Sequence, residues 1–195
     1  MFRAVTDTCV LFKPLLCDAV LSIAEEGLFQ PLWSGHILDE LRRNLLRYGI
    51  EEAKVNHRID QMTRHFPGST ITDYEPLIPS MTNQAKDRHV VAAAVKGGAD
   101  LIVTENLRDF PAATTKPYDI EVVDQDAFLL AQLDLAPTVV HRALARQASR
   151  YRRAPRTVAD LLAALGRPGN GCPTFARECA RWLLAADDDH GGVDG

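Results

Sequence analysis

Across the first 125 residues, short apolar runs of strand length alternate with longer stretches of helical periodicity, and that alternation most restricts the fold. ADLIVT (99–104) is the clearest buried strand; FRAVTD (2–7), LFQPLW (28–33), STIT (69–72) and DIEVVD (119–124) are further candidates. Between them lie PLLCDAVLSIAEEG (14–27), with Pro14 in its first turn and Gly27 as a stop, and GHILDELRRNLLRYG (35–49), capped by Ser34. EEAKVNHRIDQMTRHF (51–66) and NQAKDRHVVAAAVKGG (83–98) follow, closed by Pro67-Gly68 and Gly97-Gly98. Strands separated by helices predict an α/β fold with a central, mainly parallel sheet of about five strands. Pro31 predicts that 28–33 is an edge strand or a strand that ends there.

From residue 127 the strand signals stop. Four helical patterns follow at 126–136, 137–154, 157–166 and 173–186, with Thr157 and Asp160 forming a capping-box-like start. The expected organisation is an α/β domain over 1–126, a C-terminal helical extension over 127–186 and a flexible acidic tail over 187–195.

Net charge of −4 argues against a globally basic nucleic-acid binder and leaves room for a local basic face. No apolar run approaches the ~20 residues that span a bilayer, and Asp7 interrupts any signal-peptide core. Cys9, Cys17, Cys172 and Cys179 lack C-x-x-C spacing, which predicts reduced thiols rather than disulfides or a zinc site. A cytoplasmic protein is the simplest expectation.

Four acids fall where ligands gather in a parallel sheet, at the strands' carboxyl ends. Asp7 closes the first strand. Glu40 lies at the edge of the stripe formed by Ile37, Leu41, Leu45 and Tyr48. Asp87 shares a face with Val90, Val91 and Ala94, although an acid in a first turn also suits the helix dipole. Asp109 follows the ADLIVT strand, where it could equally be a turn residue before Phe110-Pro111. Carboxylates that converge repel one another unless a divalent cation compensates, and an oxygen-only set suits Mg²⁺ or Mn²⁺. Such ions support phosphodiester hydrolysis by activating water.

The sequence resembles PIN-domain ribonucleases, in particular the VapC-type toxins of bacterial toxin–antitoxin pairs. The resemblance rests on VTDTCVLF (5–12), SGHILDELRRNL (34–45) and KDRHVVAAAVKGGADLIVTENLRDFP (86–111), in that order and spacing. It implies a PIN-like three-layer α/β/α fold with C-terminal helices. It also implies a metal-dependent endoribonuclease whose acidic quartet is Asp7, Glu40, Asp87 and Asp109, with Thr104 and Asn106 in support. RNA (tRNA or rRNA), a cognate antitoxin and a homodimeric state come with the family. Cys9 departs from the Asn found after Asp-Thr in many relatives. Asn106 stands where many carry an acid, which leaves open whether Asn106 or Asp109 meets the metal.

Positive charge for RNA is expected from Arg42, Arg43 and Arg47, on the helix that bears Glu40. Arg142, Arg146, Arg150 and Arg153 form a second stripe, read first as a solvated face and second as an RNA or partner contact. His36 and His89 have no ligand partner at i+3 or i+4 and read as surface or hydrogen-bonded histidines; Cys172 and Cys179 have no recognisable base. Two rival functions remain: a non-catalytic PIN-like binding module, and an aspartate-nucleophile phosphatase, which would want an acid where Cys9 stands.

Overall fold

The computed structural model describes residues 1–190. The chain forms two compact units, residues 1–14 with 29–124, and residues 15–28 with 125 onward. The first holds the sheet: β1 (Phe2–Thr6), β2 (Phe29–Ser34), β3 (Thr70–Ile71), β4 (Leu101–Val103) and β5 (Glu121–Val123). The order is β3-β2-β1-β4-β5 and every pairing is parallel. The expected α/β class and strand number are both realised.

Two helices, α3 (Gly35–Arg47) and α4 (Glu52–His65), carry the chain from β2 to β3. Helix α5 (Arg88–Gly97) returns it from β3 to β4, past β2 and β1, and the short helix α6 (Ala112–Thr115) lies between β4 and β5. Right-handed crossovers that run in opposite directions fall on opposite faces, which produces the α/β/α layering. The run Ala92–Ala94, itself fully buried, keeps α5 slim against the sheet. Gly97 continues this close approach, since a Cβ there would meet Ile71 Cδ1 at 2.8 Å.

Pro31 does not end its strand. β2 is internal, paired with β1 from Phe29 to Leu32 and with β3 at Trp33 and Ser34. Trp33 N–H donates to Ser69 O at 3.0 Å. Pro31, two residues earlier, turns its nitrogen to the same side but upstream of the point where β3 begins. The missing N–H therefore costs no ladder bond.

The second unit contains α2 (Pro14–Glu25), α7 (Gln125–Leu135), α8 (Pro137–Arg150), α9 (Val158–Leu165) and α10 (Pro173–His190). Phe128, Leu129, Val140, Leu144, Leu161, Leu165 and Phe175 build its core. Residues 15–28 join it through specific bonds. Gln147 Nε2 donates to Leu15 O at 3.1 Å, and the Tyr151 hydroxyl donates to Asp18 Oδ2 at 2.6 Å. Asp126 accepts from the backbone N–H groups of Thr174 (3.0 Å) and Phe175 (2.7 Å), capping α10 from a remote position.

The stripe on α8 is solvent-exposed, as expected, but its arginines are not free. Arg142 and Arg146 pair with Glu26 at 2.5 and 2.9 Å, Arg146 reaches Glu25 at 3.3 Å, and Arg150 donates to Ser22 Oγ at 2.7 Å. Glu26 is held below the usual carboxylate range by its hydrogen bonds from Arg142. These arginines serve the unit's own assembly, and the reading as a free RNA-contact stripe lapses for them. Helix α10 runs to His190, so the expected flexible tail is helical over 187–190; its remainder, 191–195, lies outside the described residues. Among the described residues, no helix is long and apolar enough to cross a membrane.

Candidate active site

The chain leaves β1 toward β2 on one side, while β4 lies on the other, so a crevice opens at the carboxyl ends of β1 and β4. Asp7 sits there, 5% exposed, as the N-cap of the short helix α1 (Thr8–Phe12). Its Oδ1 accepts from Thr8 N–H at 2.6 Å, and its Oδ2 accepts from Thr104 Oγ1 at 2.6 Å and from Cys9 Sγ at 3.4 Å. Thr104 Oγ1 in turn accepts from Asn106 N–H at 3.1 Å. Burial and the Asp7 charge push the Cys9 thiol up to about 12, so it stays protonated and donates. The expected supporting roles of Thr104 and Asn106 toward Asp7 thus have a geometric basis, Thr104 through its side chain and Asn106 through its backbone.

Thr8 Oγ1 lies 3.1 Å from Glu40 Oε2, linking α1 to α3. Asp87 stands at the junction of a 3₁₀ turn (Ala85–Asp87) and α5, rather than along the apolar face of a single helix. Its Oδ2 is buried and has no hydrogen-bond partner; Lys86 Nζ is 3.5 Å away without hydrogen-bond geometry. Burial raises the Asp87 carboxyl to about 6; Lys86 opposes the shift while Asp7 and Asp109 add to it. Asp7, Glu40 and Asp87 all line one cavity of about 660 Å³.

Asp109 is not among the residues that line it. A 3₁₀ turn (Leu107–Asp109) directs its carboxylate to Lys86 Nζ at 2.8 Å, and this bond lowers its pKa. The neighbours that do line the cavity are Asn106 and Glu105, the latter ion-paired with Lys13. Of the three expected substrate-contact arginines, Arg43 lines the cavity, Arg42 is tied to Asn56 Oδ1 and Arg47 is exposed in the last turn of α3.

Sequence reasoning passed over Glu105, Lys86, His36 and His89 as cavity residues. A signal for His36 did exist: it precedes Glu40 by four residues on α3, which puts the two on one helical face together with Arg43 and Asn44. The His89 pKa is lowered chiefly by burial and next by His36, whose ring centroid is 5.3 Å away. All four cysteines are thiols without a disulfide. Burial drives Cys179 up to about 11, far from a nucleophilic thiolate.

Among the described residues, no three His, Cys, Asp or Glu side chains close into a ready ligand group. The donors nevertheless suit a hard divalent cation. They are carboxylate oxygens, one of them buried without a hydrogen bond, and an ion such as Mg²⁺ keeps most of its waters and needs only one or two carboxylates.

Comparison with known proteins gives this crevice a lineage. A family model described as PIN domain matches residues 3–108, more than half of the chain. The chain belongs to the PIN domain family. A second model, described as VapC50 C-terminal domain, matches residues 125–181, so the helices after the PIN domain are themselves a recognised extension. The chain is similar to "Putative ribonuclease VapC50" of Mycobacterium tuberculosis, with 43% identity over 108 residues. That match covers 55% of this chain and 62% of the relative's length. No solved structure matches it significantly. The resemblance to VapC-type PIN domains with a C-terminal helical extension is borne out.

Proposed function

We propose that this PIN domain is a metal-dependent endoribonuclease and the toxin half of a toxin–antitoxin pair. The observation that carries the reading is the cavity at the β1–β4 switch point. It gathers Asp7, Glu40 and Asp87, with one buried carboxylate oxygen left without a hydrogen bond. The relative's printed name, a ribonuclease, supports the same chemistry.

Asp7, Glu40 and Asp87 would hold Mg²⁺ or Mn²⁺, which when bound supplies a polarised water and charge compensation at the departing 3′ oxygen. Asp7 is held in place by Thr8, Thr104 and Cys9, so its carboxylate is fixed before substrate arrives. Arg43 supplies cationic contact to the phosphate backbone at the cavity wall. Asp109 acts at one remove, holding Lys86 beside Asp87. The substrate is RNA, with tRNA or rRNA as the targets to try, and a cognate antitoxin and a second copy of the chain are the partners.

The hydrogen bonds on both Asp7 oxygens disfavour its use as a phosphatase nucleophile. The decisive experiment is incubation of the pure chain with end-labelled tRNA and rRNA under Mg²⁺, Mn²⁺ or EDTA, beside Asp7→Asn. Discrete metal-dependent fragments that vanish in the variant support the nuclease. RNA binding without cleavage, from antitoxin-free protein, leaves a binding module instead.

A further inference from the structure

The cavity wall carries one side chain whose orientation is fixed by a buried partner that the proposed chemistry does not use. Tyr74 is 1% exposed, and its hydroxyl oxygen lies 3.3 Å from the backbone N of His36 and 2.5 Å from His36 Nδ1. A backbone N–H can only donate, so it occupies one lone pair of the tyrosine oxygen. The hydroxyl proton then has Nδ1 as its acceptor. The reverse arrangement, Nδ1–H donating to the tyrosine, would leave a buried hydroxyl hydrogen without a partner. A neutral imidazole that accepts at Nδ1 carries its proton on Nε2. Tyr74 therefore fixes both the ring and its tautomer, and His36, exposed and lining the acid cavity, offers an N–H donor there.

A phosphodiester offers only acceptors, and a cavity rich in carboxylates needs donors elsewhere on its wall to orient it. Arg43 provides a cation on a long side chain, whereas His36 provides an N–H donor on a ring held by Tyr74. We infer that His36, positioned by Tyr74, contacts the RNA substrate by donating its Nε2–H to a phosphate oxygen of the bound strand. This inference rests on the nuclease reading and names a residue that fixes the substrate's orientation.

The test combines ¹⁵N-histidine NMR with kinetics on the full chain. In the wild type the His36 resonances report a proton on Nε2, and Tyr74→Phe converts them to a tautomeric mixture. Adding a single-stranded RNA oligonucleotide to Asp7→Asn protein shifts the His36 Nε2 signal, and the nucleoside uridine, which lacks phosphate, does not. His36→Ala lowers kcat/KM by about tenfold, the loss of one hydrogen bond to a charged group. His36→Gln, whose amide nitrogen can stand in for Nε2, recovers most of that, and His36→Asn does not. Mn²⁺ affinity followed by electron paramagnetic resonance is unchanged across the His36 variants.

A proton on Nδ1, wild-type rates for His36→Ala, equal defects in the Gln and Asn variants, or an equal shift with uridine would each overturn the assignment. If Tyr74→Phe does not fold, the wild-type tautomer and the His36 series carry the test. If the wild type cleaves no RNA, the nuclease reading fails separately. The oligonucleotide shift then decides alone, its presence keeping His36 as an RNA contact and its absence removing it.

Discussion

Arginines line helical faces in both units of this chain, and the two faces do different things. On α3, Arg43 borders the acid cavity with no ion pair to a neighbouring carboxylate among the described residues. On α8, Arg142 and Arg146 are matched by Glu25 and Glu26 of the α2 segment, more than a hundred residues earlier. Spacing along a helix tells which charges share a face. Whether that face is free for a ligand depends on a distant segment that local periodicity cannot reveal.

The largest test of this contrast is Asp87→Asn. It should reduce metal-dependent RNA cleavage by more than the roughly 100-fold that loss of a supporting partner costs a metal site. The same variant should raise Tm at pH 8. The folded-state pKa of Asp87 lies at about 6, above its ordinary value of 3.8, so the native carboxyl holds its proton more tightly than the unfolded one. Its contribution to stability is full below the unfolded pKa and is lost as pH rises through 6. The Tm advantage of the amide should therefore shrink as pH is lowered through that window, and thermal melts across pH check it.

Next in size is Asp126→Ala, which leaves Thr174 and Phe175 N–H groups uncapped. Urea unfolding should register a loss of about 1–2 kcal/mol. Arg43→Ala should flatten the dependence of log Kd for RNA on log salt by roughly 0.7, one phosphate contact on a single strand. Arg146→Ala should leave that slope unchanged and cost about 0.5 kcal/mol or less, because its ion pairs are solvent-screened. Equal salt slopes for the two arginine variants would erase the distinction between the faces.

Much of the fold was legible because strand runs and helix stops are local. ADLIVT contains β4, Ser34 caps α3 through its bond from Ile37 N–H, and Gly98 ends α5 in a left-handed conformation. Asp7 and Glu40 were legible as acids at a strand end and at the margin of an apolar stripe. The rest depended on tertiary partners. Pro31 is tolerated inside the sheet because β3 starts late. Asp109 lies just outside the cavity lining, bonded to Lys86, which does line it. His36 gains its orientation from Tyr74, 38 residues further on.

The position of β1 at the centre of the sheet has a consequence during synthesis. Asp7 and Thr104 are 97 residues apart, and β1 must wait for β4 to complete its pairing. A nascent chain that has delivered β1, β2 and α3 already contains Asp7 and Glu40, yet lacks Asp87 and the strand that bonds Asp7 in place. On the proposed reading, the chain order keeps the acid cleft unassembled until β4 has emerged and paired with β1.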